Sequence, residues 1–253
     1  MKILHINKLP KGGAFNGTYR LHTALLKAGI DSKILVREAI EEKSSLNQVY
    51  EYNQPCRKIN IFNSIINRLG HPSTTAQRRW HLLKGKKGSY EILSLPISDF
   101  DITQSKEYQQ ADIINLHWVA DYLDYQSFFK KCLKPVVITL RDLFPLQGIF
   151  HYSQDVITNK KTFGHVEDKM VELKKKSISS AKKPVVVVGI SKWITEESRK
   201  SEAHQNLKHY TVHNCIDVGQ YQIFDKKKLR NKYRIPFEAD IFSFISEGAV
   251  NLR

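Results

Sequence analysis

Short runs of β-branched and other apolar residues recur along the chain, and helical patterns lie between many of them. The runs cover residues 2–6, 33–36, 112–116, 135–140, 184–190, 210–212 and 240–245. The segments VVIT and VVVV within them are continuous rather than alternating, which is typical of strands buried on both faces. Strands that alternate with helices predict an α/β fold with a doubly wound parallel sheet.

The ends of these strands are the first place to look for a functional site. In a doubly wound sheet, ligands bind outside the carboxyl ends of the strands. The residues that follow five of the predicted strands are NKLPKGG (7–13), HWVAD (117–121), RDLFPLQ (141–147), SKWI (191–194) and HNCID (213–217). We expect these five strand ends to converge on one cleft.

Three glycines lie close together in the stretch GGAFNG, just after the first strand. The pattern predicts a glycine loop, followed by a helix that Asn16 caps and Gly29 ends. A P-loop would need Lys and Ser/Thr where Thr18 and Tyr19 stand, and a dinucleotide fingerprint needs a different glycine spacing. Two interpretations remain. The turn either binds a diphosphate through backbone N–H groups and a helix N-terminus, or it is a tight turn without a ligand.

The positive charge of the chain is concentrated in one region. The 40 Lys and Arg residues against 25 Asp and Glu residues give a net charge of +15. Residues 52–90 contain no acidic residue, and their basic residues are Arg57, Lys58, Arg68, Arg78, Arg79, Lys84, Lys86 and Lys87. A helical pattern in residues 56–70 and the later Trp80 favour contact with an anionic membrane surface. The alternative is a helix that packs on its own sheet with a solvated cationic rim.

Other classes of function have less support. Nucleic-acid binding is favoured by charge alone, and because no nucleic-acid-binding module is present we expect no nucleic-acid partner. The three cysteines lie far apart and the histidines 204, 209 and 213 lack ligand spacing, so no metal site is expected. The sequence shows neither a signal peptide nor an apolar run long enough to span a bilayer. We expect a cytoplasmic protein, peripheral on the inner face of the membrane if the basic region binds lipid.

Five stretches resemble, in order and at similar spacing, the N-terminal half of family 4 glycosyltransferases of the bacterial capsule and exopolysaccharide type. They are GGAFNGTYRLHTALLKAGIDSKILV (12–36), ADIINLHWVADYLD (111–124), PVVITLRDLFPLQGIFHYS (135–153), ISKWI (190–194) and HNCID (213–217). The resemblance covers nearly the whole chain but is loose between residues 40 and 90. It implies the GT-B architecture, in which two Rossmann-like domains face each other across a cleft.

The resemblance also implies a function and a division of the chain. Residues 1–217 would be the Rossmann-like acceptor domain, and residues 218–253 a linker with the first strand of a truncated donor domain. The chain would then be the acceptor-binding half of a retaining, hexosyltransferase-like enzyme, with no cofactor and with a nucleotide sugar as donor substrate. The acceptor would be a saccharide or a lipid-linked saccharide of a surface polysaccharide. The alternative is a non-catalytic membrane- or carbohydrate-binding module of the same fold.

Family members commonly have Thr-x-His-Asp after the strand equivalent to VVIT, and here Arg141 replaces that histidine. Arginine cannot act as a base, because its pKa lies above about 12, but it can neutralise a diphosphate. The predicted catalytic residues are His117, Arg141 and Asp142, and the predicted substrate-binding residues are Gly12, Gly13, Gly17, Trp118, His151, Ser191 and Asn214.

Some of these residues also have structural interpretations. His117 could be a hydrogen-bonded structural histidine, and Trp118 could pack in the core instead of against a sugar ring. Asp142 is expected to fix Arg141 by an ion pair.

Overall fold

The computed structural model describes residues 1–40, 46–55 and 74–243. Within them, one sheet of seven strands has every neighbouring pair parallel, in the order β3-β2-β1-β4-β5-β6-β7. The strands are β1 (Lys2–Ile6), β2 (Asp31–Val36), β3 (Val49–Glu51), β4 (Ile113–Leu116), β5 (Val136–Leu140), β6 (Val185–Gly189) and β7 (Lys208–Thr211). The strand order reverses between β1 and β4. This is the Rossmann-like doubly wound α/β fold that the sequence predicts.

The described residues also form eight α-helices. They are α1 (Gly12–Lys27), α2 (Thr75–Leu83), α3 (Lys106–Gln110), α4 (Tyr125–Lys131), α5 (Ser153–Thr158), α6 (Lys160–Ser179), α7 (Lys192–Lys200) and α8 (Lys226–Lys232). Side-chain oxygens cap several helix N-termini. Ser191, for example, accepts a hydrogen bond from the backbone N–H of Ile194 in α7, and serine is among the residues preferred at this position.

Both faces of the sheet are covered by helices. In β2, Ile34 and Val36 pack with Phe15 of α1. The intervening Leu35 belongs to the larger core, which includes Tyr108 of α3 and Phe129 of α4. Because successive side chains of a strand point to opposite faces, α1 lies on one side of the sheet, and α3 and α4 lie on the other. Burial of each such side chain stabilises the fold by roughly 1.5–3 kcal/mol.

The segment that contains the three glycines differs from the prediction. It is not a loop, because α1 begins at Gly12 and Asn16 lies inside the helix rather than at its cap. Glycine disfavours a helix by about 1 kcal/mol, but burial of Phe15 and Thr18 on the inner face of α1 outweighs this cost. The end of α1 agrees with the prediction. Gly29, at φ +76°, follows the last turn, a conformation that favours glycine.

Two strand predictions differ from the structure. Residues 240–243 of the predicted strand 240–245 form no strand, and residues 244 and 245 lie outside the described residues. The three-residue strand β3 was not expected, because its short sequence VYE at the sheet edge is only partly buried.

Residues Met1–Cys215 form one compact unit and Ile216–Arg253 form a second one, which contains α8. Among the described residues, no helix is long and apolar enough to cross a membrane.

Several cations of the basic region are engaged in contacts within the chain. Arg79 Nη1 lies 3.0 Å from Asp121 Oδ1, and Arg78 lies 3.9 Å from Asp99 and 4.0 Å from Asp124. Lys86 Nζ donates a hydrogen bond of 2.8 Å to the carbonyl of Thr162. The amphipathic helix predicted in residues 56–70 lies outside the described residues.

Candidate functional site

Strands β1 and β4 lie next to each other and present polar side chains on the face that α1 covers. Their alternate residues Leu4, Ile6, Ile114 and Leu116 belong to the apolar core of the opposite face. His5, Asn115 and His117 point the other way and are 0, 7 and 2% exposed. The Nδ1 atom of His5 lies 3.0 Å from Nε2 of His117. A buried histidine pair therefore lies at the point where the strand order of the sheet reverses.

Arg141, the first residue after β5, continues this chain of contacts. Its Nε donates a hydrogen bond of 3.2 Å to Nδ1 of His117, and its Nη1 donates to Oδ1 of Asn214. Among the described residues, no carboxylate forms an ion pair or a hydrogen bond with Arg141. The residues that follow β4, β5 and β7 thus meet at one edge of the sheet, as the strand-end argument predicts.

Gly17 allows the guanidinium to lie against the second turn of α1. An ideal Cβ atom at Gly17 would lie 2.4 Å from Nη1 and 3.0 Å from Cζ of Arg141. In contrast, an ideal Cβ atom at Gly12 or Gly13 would meet no heavy atom within 4 Å. The first turn of α1 has no acidic residue and no side-chain cap, so its N–H groups are available to an anion.

The charge of Arg141 has a cost that an anion would offset. Burial lowers the pKa of Arg141 to about 10, so the side chain remains a cation at neutral pH. A cation that is removed from water without a counter-charge destabilises the fold. A phosphate group can accept two parallel hydrogen bonds from one guanidinium and further bonds from helix N–H groups. The arrangement is suited to bind a phosphate or diphosphate.

Asp142 does not form the ion pair with Arg141 that the sequence predicts. Its carboxylate accepts hydrogen bonds of 2.7 Å from Trp118 Nε1 and 3.0 Å from the backbone N–H of Phe144. Its Oδ2 also lies 2.6 Å from Nδ1 of His151. The three donors hold the carboxylate of Asp142, which in turn fixes the indole of Trp118 at the sheet edge.

The connections of His151 have the order of a catalytic triad. Its Nδ1 contacts Asp142, and its Nε2 lies 3.1 Å from Oγ of Ser94. However, His151 and Ser94 are 1 and 2% exposed, and the ring of Phe144 stacks on the imidazole at 4.8 Å. A substrate cannot reach this serine, so the arrangement is a structural network and not a hydrolytic site.

Two buried charges of α6 anchor the segment that follows β5. The carboxylate of Glu167 accepts hydrogen bonds from the backbone N–H groups of Gly148 and, at 2.8 Å, of Ile149. Lys174 Nζ donates to the carbonyls of Phe144 and Gln147, and burial lowers its pKa to about 7. Sequence reasoning missed both residues. The signal was their position on the buried face of α6, in helical register with Phe163, Met170 and Ile178.

The predicted site residues therefore fall into separate groups. Gly17, His117, Arg141 and Asn214 lie together, while Trp118, Asp142 and His151 form a neighbouring network. Ser191 caps α7, and its hydrogen bonds are to Ile194 and Thr195 of that helix. Two surface grooves, of about 690 and 610 Å³, lie against α6 and are lined by none of the predicted site residues. In the described part of the chain, no cluster of three or more His, Cys, Asp or Glu residues could hold a metal ion.

Neither a family model nor a curated protein matches the chain. Among solved structures, it is similar to a glycosyltransferase from Rickettsia africae ESF-5, at 16% sequence identity and a TM-score of 0.43. The similarity covers 93% of this chain and 50% of that chain, so this chain spans about half the length of that protein. The order and the parallel pairing of the seven strands define the fold independently of this similarity.

Proposed function

We propose that this chain is the acceptor-binding half of a retaining glycosyltransferase that acts in surface polysaccharide synthesis. The enzyme would move a sugar from a nucleotide-sugar donor to a saccharide or lipid-linked acceptor. The observation that carries the proposal is the cation of Arg141, which lies half-buried at the carboxyl edge of the sheet and has no carboxylate partner among the described residues. We infer that the donor diphosphate supplies the missing negative charge.

The position of the site supports this proposal. The crevice of a doubly wound sheet lies where the strand order reverses, here between β1 and β4. Lys8 follows β1 and Trp118 follows β4, and the backbone N–H of Lys8 donates a 2.7 Å hydrogen bond to the carbonyl of Trp118. Arg141 follows the next strand along, and the N-terminus of α1 opens just after Lys8. A diphosphate at this crevice would meet both the guanidinium and the helix N–H groups.

The side chains suggest how the transfer would proceed. Arg141 would stabilise the negative charge that develops on the diphosphate as the bond between the sugar carbon and the phosphate oxygen breaks. Both ring nitrogens of His117 are hydrogen-bonded to protein groups, so His117 is not placed to take a proton. The leaving diphosphate would therefore accept the proton of the acceptor hydroxyl as the new glycosidic bond forms. Trp118, held by Asp142, would offer its indole to the acceptor sugar.

A substitution at Gly13 tests the anion site without disturbing the fold. Gly13→Val is expected to weaken the binding of inorganic pyrophosphate by at least about tenfold, because its side chain would fill the space through which a phosphate approaches the helix N–H groups. The fold should persist, since an ideal Cβ atom at Gly13 meets nothing within 4 Å. Titration calorimetry measures the affinity. Gly164→Val in α6 is the matched control.

The outcomes of this test separate the proposals. If the wild-type chain does not bind millimolar pyrophosphate, or if both variants bind it equally, the anion site is wrong. A non-catalytic module of the same fold would bind sugar or phosphate without transfer. A transfer assay on the full-length protein, with a panel of nucleotide sugars and lipid-linked acceptors, therefore distinguishes the enzyme from the module.

We also propose that α2 contacts an anionic membrane surface. Trp80 is 53% exposed, and Lys84 Nζ lies 4.4 Å from the centre of its ring. An exposed tryptophan beside lysines is suited to the interface between lipid head groups and water. Because Arg78 and Arg79 are paired with acidic side chains, the charge available to lipid includes Lys84 and the exposed Lys87.

Vesicle sedimentation tests this contact. The wild-type protein should sediment with phosphatidylglycerol-containing vesicles and dissociate as salt is raised, while the double variant Lys84→Glu and Lys87→Glu should stay in solution. The control is the double variant Lys182→Glu and Lys183→Glu, which makes the same change of charge elsewhere on the surface. Equal sedimentation of both double variants, or binding to neutral vesicles alone, would rule out a membrane contact at α2.

A further inference from the structure

His5 is buried in β1, and its hydrogen bond to His117 links it to Arg141 indirectly. Its Nδ1 lies 3.0 Å from Nε2 of His117, whose Nδ1 in turn accepts a hydrogen bond from Nε of Arg141. The other ring nitrogen of His5, Nε2, is buried and has no hydrogen-bond partner among the described residues. We propose that His5 is a positioning residue, which orients the guanidinium of Arg141 through His117. Its effect on pyrophosphate binding rests on the proposed function, whereas its effect on the orientation of Arg141 does not.

The direction of the hydrogen bonds in this chain follows from Arg141. The Nε–H group of arginine can only donate, so Nδ1 of His117 must be an acceptor. The single proton of a neutral His117 is then on Nε2, and it is donated to Nδ1 of His5. His5 must in turn carry its proton on Nε2. The Nε–H of Arg141 therefore holds His117 in one tautomer, and the Nε2–H of His117 holds His5 in one tautomer.

The same logic requires both rings to be neutral. A second proton on His117 would place an N–H group against the N–H of Arg141, and a second proton on His5 would oppose the N–H of His117. Burial favours the neutral forms as well. It lowers the pKa of His5 to about 3 and the pKa of His117 well below its usual range, and the charge of Arg141 lowers both further. The guanidinium thus donates to one neutral ring, His117, which is held by a second neutral ring, His5, and its charge is left for another partner.

The unpaired Nε2 of His5 supports a role beyond packing. A buried N–H donor without a partner destabilises the fold, and an apolar side chain in β1 would avoid that cost. His22, whose ring centre lies 6.3 Å from that of His5, does not relieve it, because its own nitrogens bond to Ser32 and to the carbonyl of Asn47. His5 supplies Nδ1 as the acceptor for the Nε2–H of His117. Without this acceptor, the His117 ring could rotate, and the hydrogen bond from Nε of Arg141 would be lost.

The nitrogen shifts of the histidine rings test the arrangement directly. In long-range proton–nitrogen spectra of the wild-type chain at neutral pH, His5 and His117 are both expected as Nε2–H tautomers. The Nε–H of Arg141 should exchange slowly with water. In His5→Leu, which lacks an acceptor, this exchange should be at least about tenfold faster. In His5→Asn, the amide oxygen can take the place of Nδ1 and slow exchange should return.

His204 provides a matched control for burial. It is also fully buried, and among the described residues its Nε2 has no partner and its ring forms one hydrogen bond, to Ser198. His204→Leu should therefore cost stability but leave the exchange at Arg141 and the affinity for pyrophosphate unchanged. His5→Leu should weaken pyrophosphate binding by about tenfold, and His5→Asn should restore most of it.

The outcomes are distinguishable. An Nδ1–H tautomer at His117, or exchange at Arg141 that is the same in His5→Leu and His204→Leu, would overturn the positioning role. If the wild-type chain does not bind pyrophosphate, the proposed function fails, while the tautomers and the exchange of the Arg141 Nε–H still decide the role of His5.

Discussion

Arg141→Gln is expected to weaken pyrophosphate binding by about 100-fold, the largest functional effect that we expect from one substitution. Glutamine removes the cation and the paired donors of the guanidinium. The fold should change little, because Arg141 has no carboxylate partner to leave unpaired among the described residues. Removal of a half-buried cation also removes its desolvation cost, so the free energy of unfolding should change by less than about 1 kcal/mol.

The control for this variant is Arg20→Gln. Arg20 is exposed on α1, the same helix that Arg141 contacts at Gly17, and its substitution removes the same net charge. Arg141→Lys adds a second comparison. Lysine keeps the charge but cannot bond to His117, Asn214 and a phosphate with the fixed geometry of a guanidinium, so about tenfold weaker binding is expected. Equal affinities of Arg141→Gln and Arg20→Gln would show that the net charge alone attracts the anion.

Glu167→Ala is expected to lower the free energy of unfolding by about 3–5 kcal/mol. The buried carboxylate accepts the backbone N–H groups of Gly148 and Ile149, and both donors would be left without a partner inside the protein. Lys174 would at the same time lose a neighbouring negative charge. Urea denaturation measures the loss. Glu167→Gln keeps one acceptor oxygen and should cost less.

Glu172→Ala in the same helix is the matched control. Glu172 is half exposed and pairs with Lys175 and Lys176 on the surface, so its loss should cost at most about 1 kcal/mol. Equal losses for Glu167→Ala and Glu172→Ala would contradict the anchoring role of Glu167. The indole N–H of Trp118 donates a hydrogen bond to Asp142, and the segment that Glu167 anchors begins just after Asp142. Glu167→Ala should therefore also broaden the NMR signal of this indole N–H.

The parts of the fold that depend on local pattern could be predicted from the sequence. Strands β5 and β6 are continuous β-branched runs, and strands of that kind need cover on both faces. The start of α1 could not be predicted in this way. The three glycines indicate a loop, and only the burial of Phe15 and Thr18 against the sheet makes the segment helical. The edge strand β3 is too short for a periodic signal.

The same division applies to the candidate site. His117, Arg141 and Asn214 could be identified because the carboxyl ends of parallel strands lie at one edge of the sheet, independently of the loop conformations. The partners of Asp142 were not, because they depend on how the segment from Arg141 to Tyr152 folds back on itself. His5 was missed because KILHI looks like an ordinary buried strand. Its signal was positional, since it occupies the face that Asn115 and His117 occupy in β4.

The contact between Gly17 and Arg141 constrains how this site can change during evolution. Because the guanidinium occupies the volume of a Cβ atom at position 17, any larger residue there requires a shorter or displaced side chain at position 141. The two positions should therefore covary among homologous sequences, with arginine at 141 where 17 is glycine and a compact residue such as histidine where it is not. Independent variation at the two positions would contradict this. The absence of a Cβ atom at position 17 would then decide whether a guanidinium or an imidazole ring at position 141 faces the ligand.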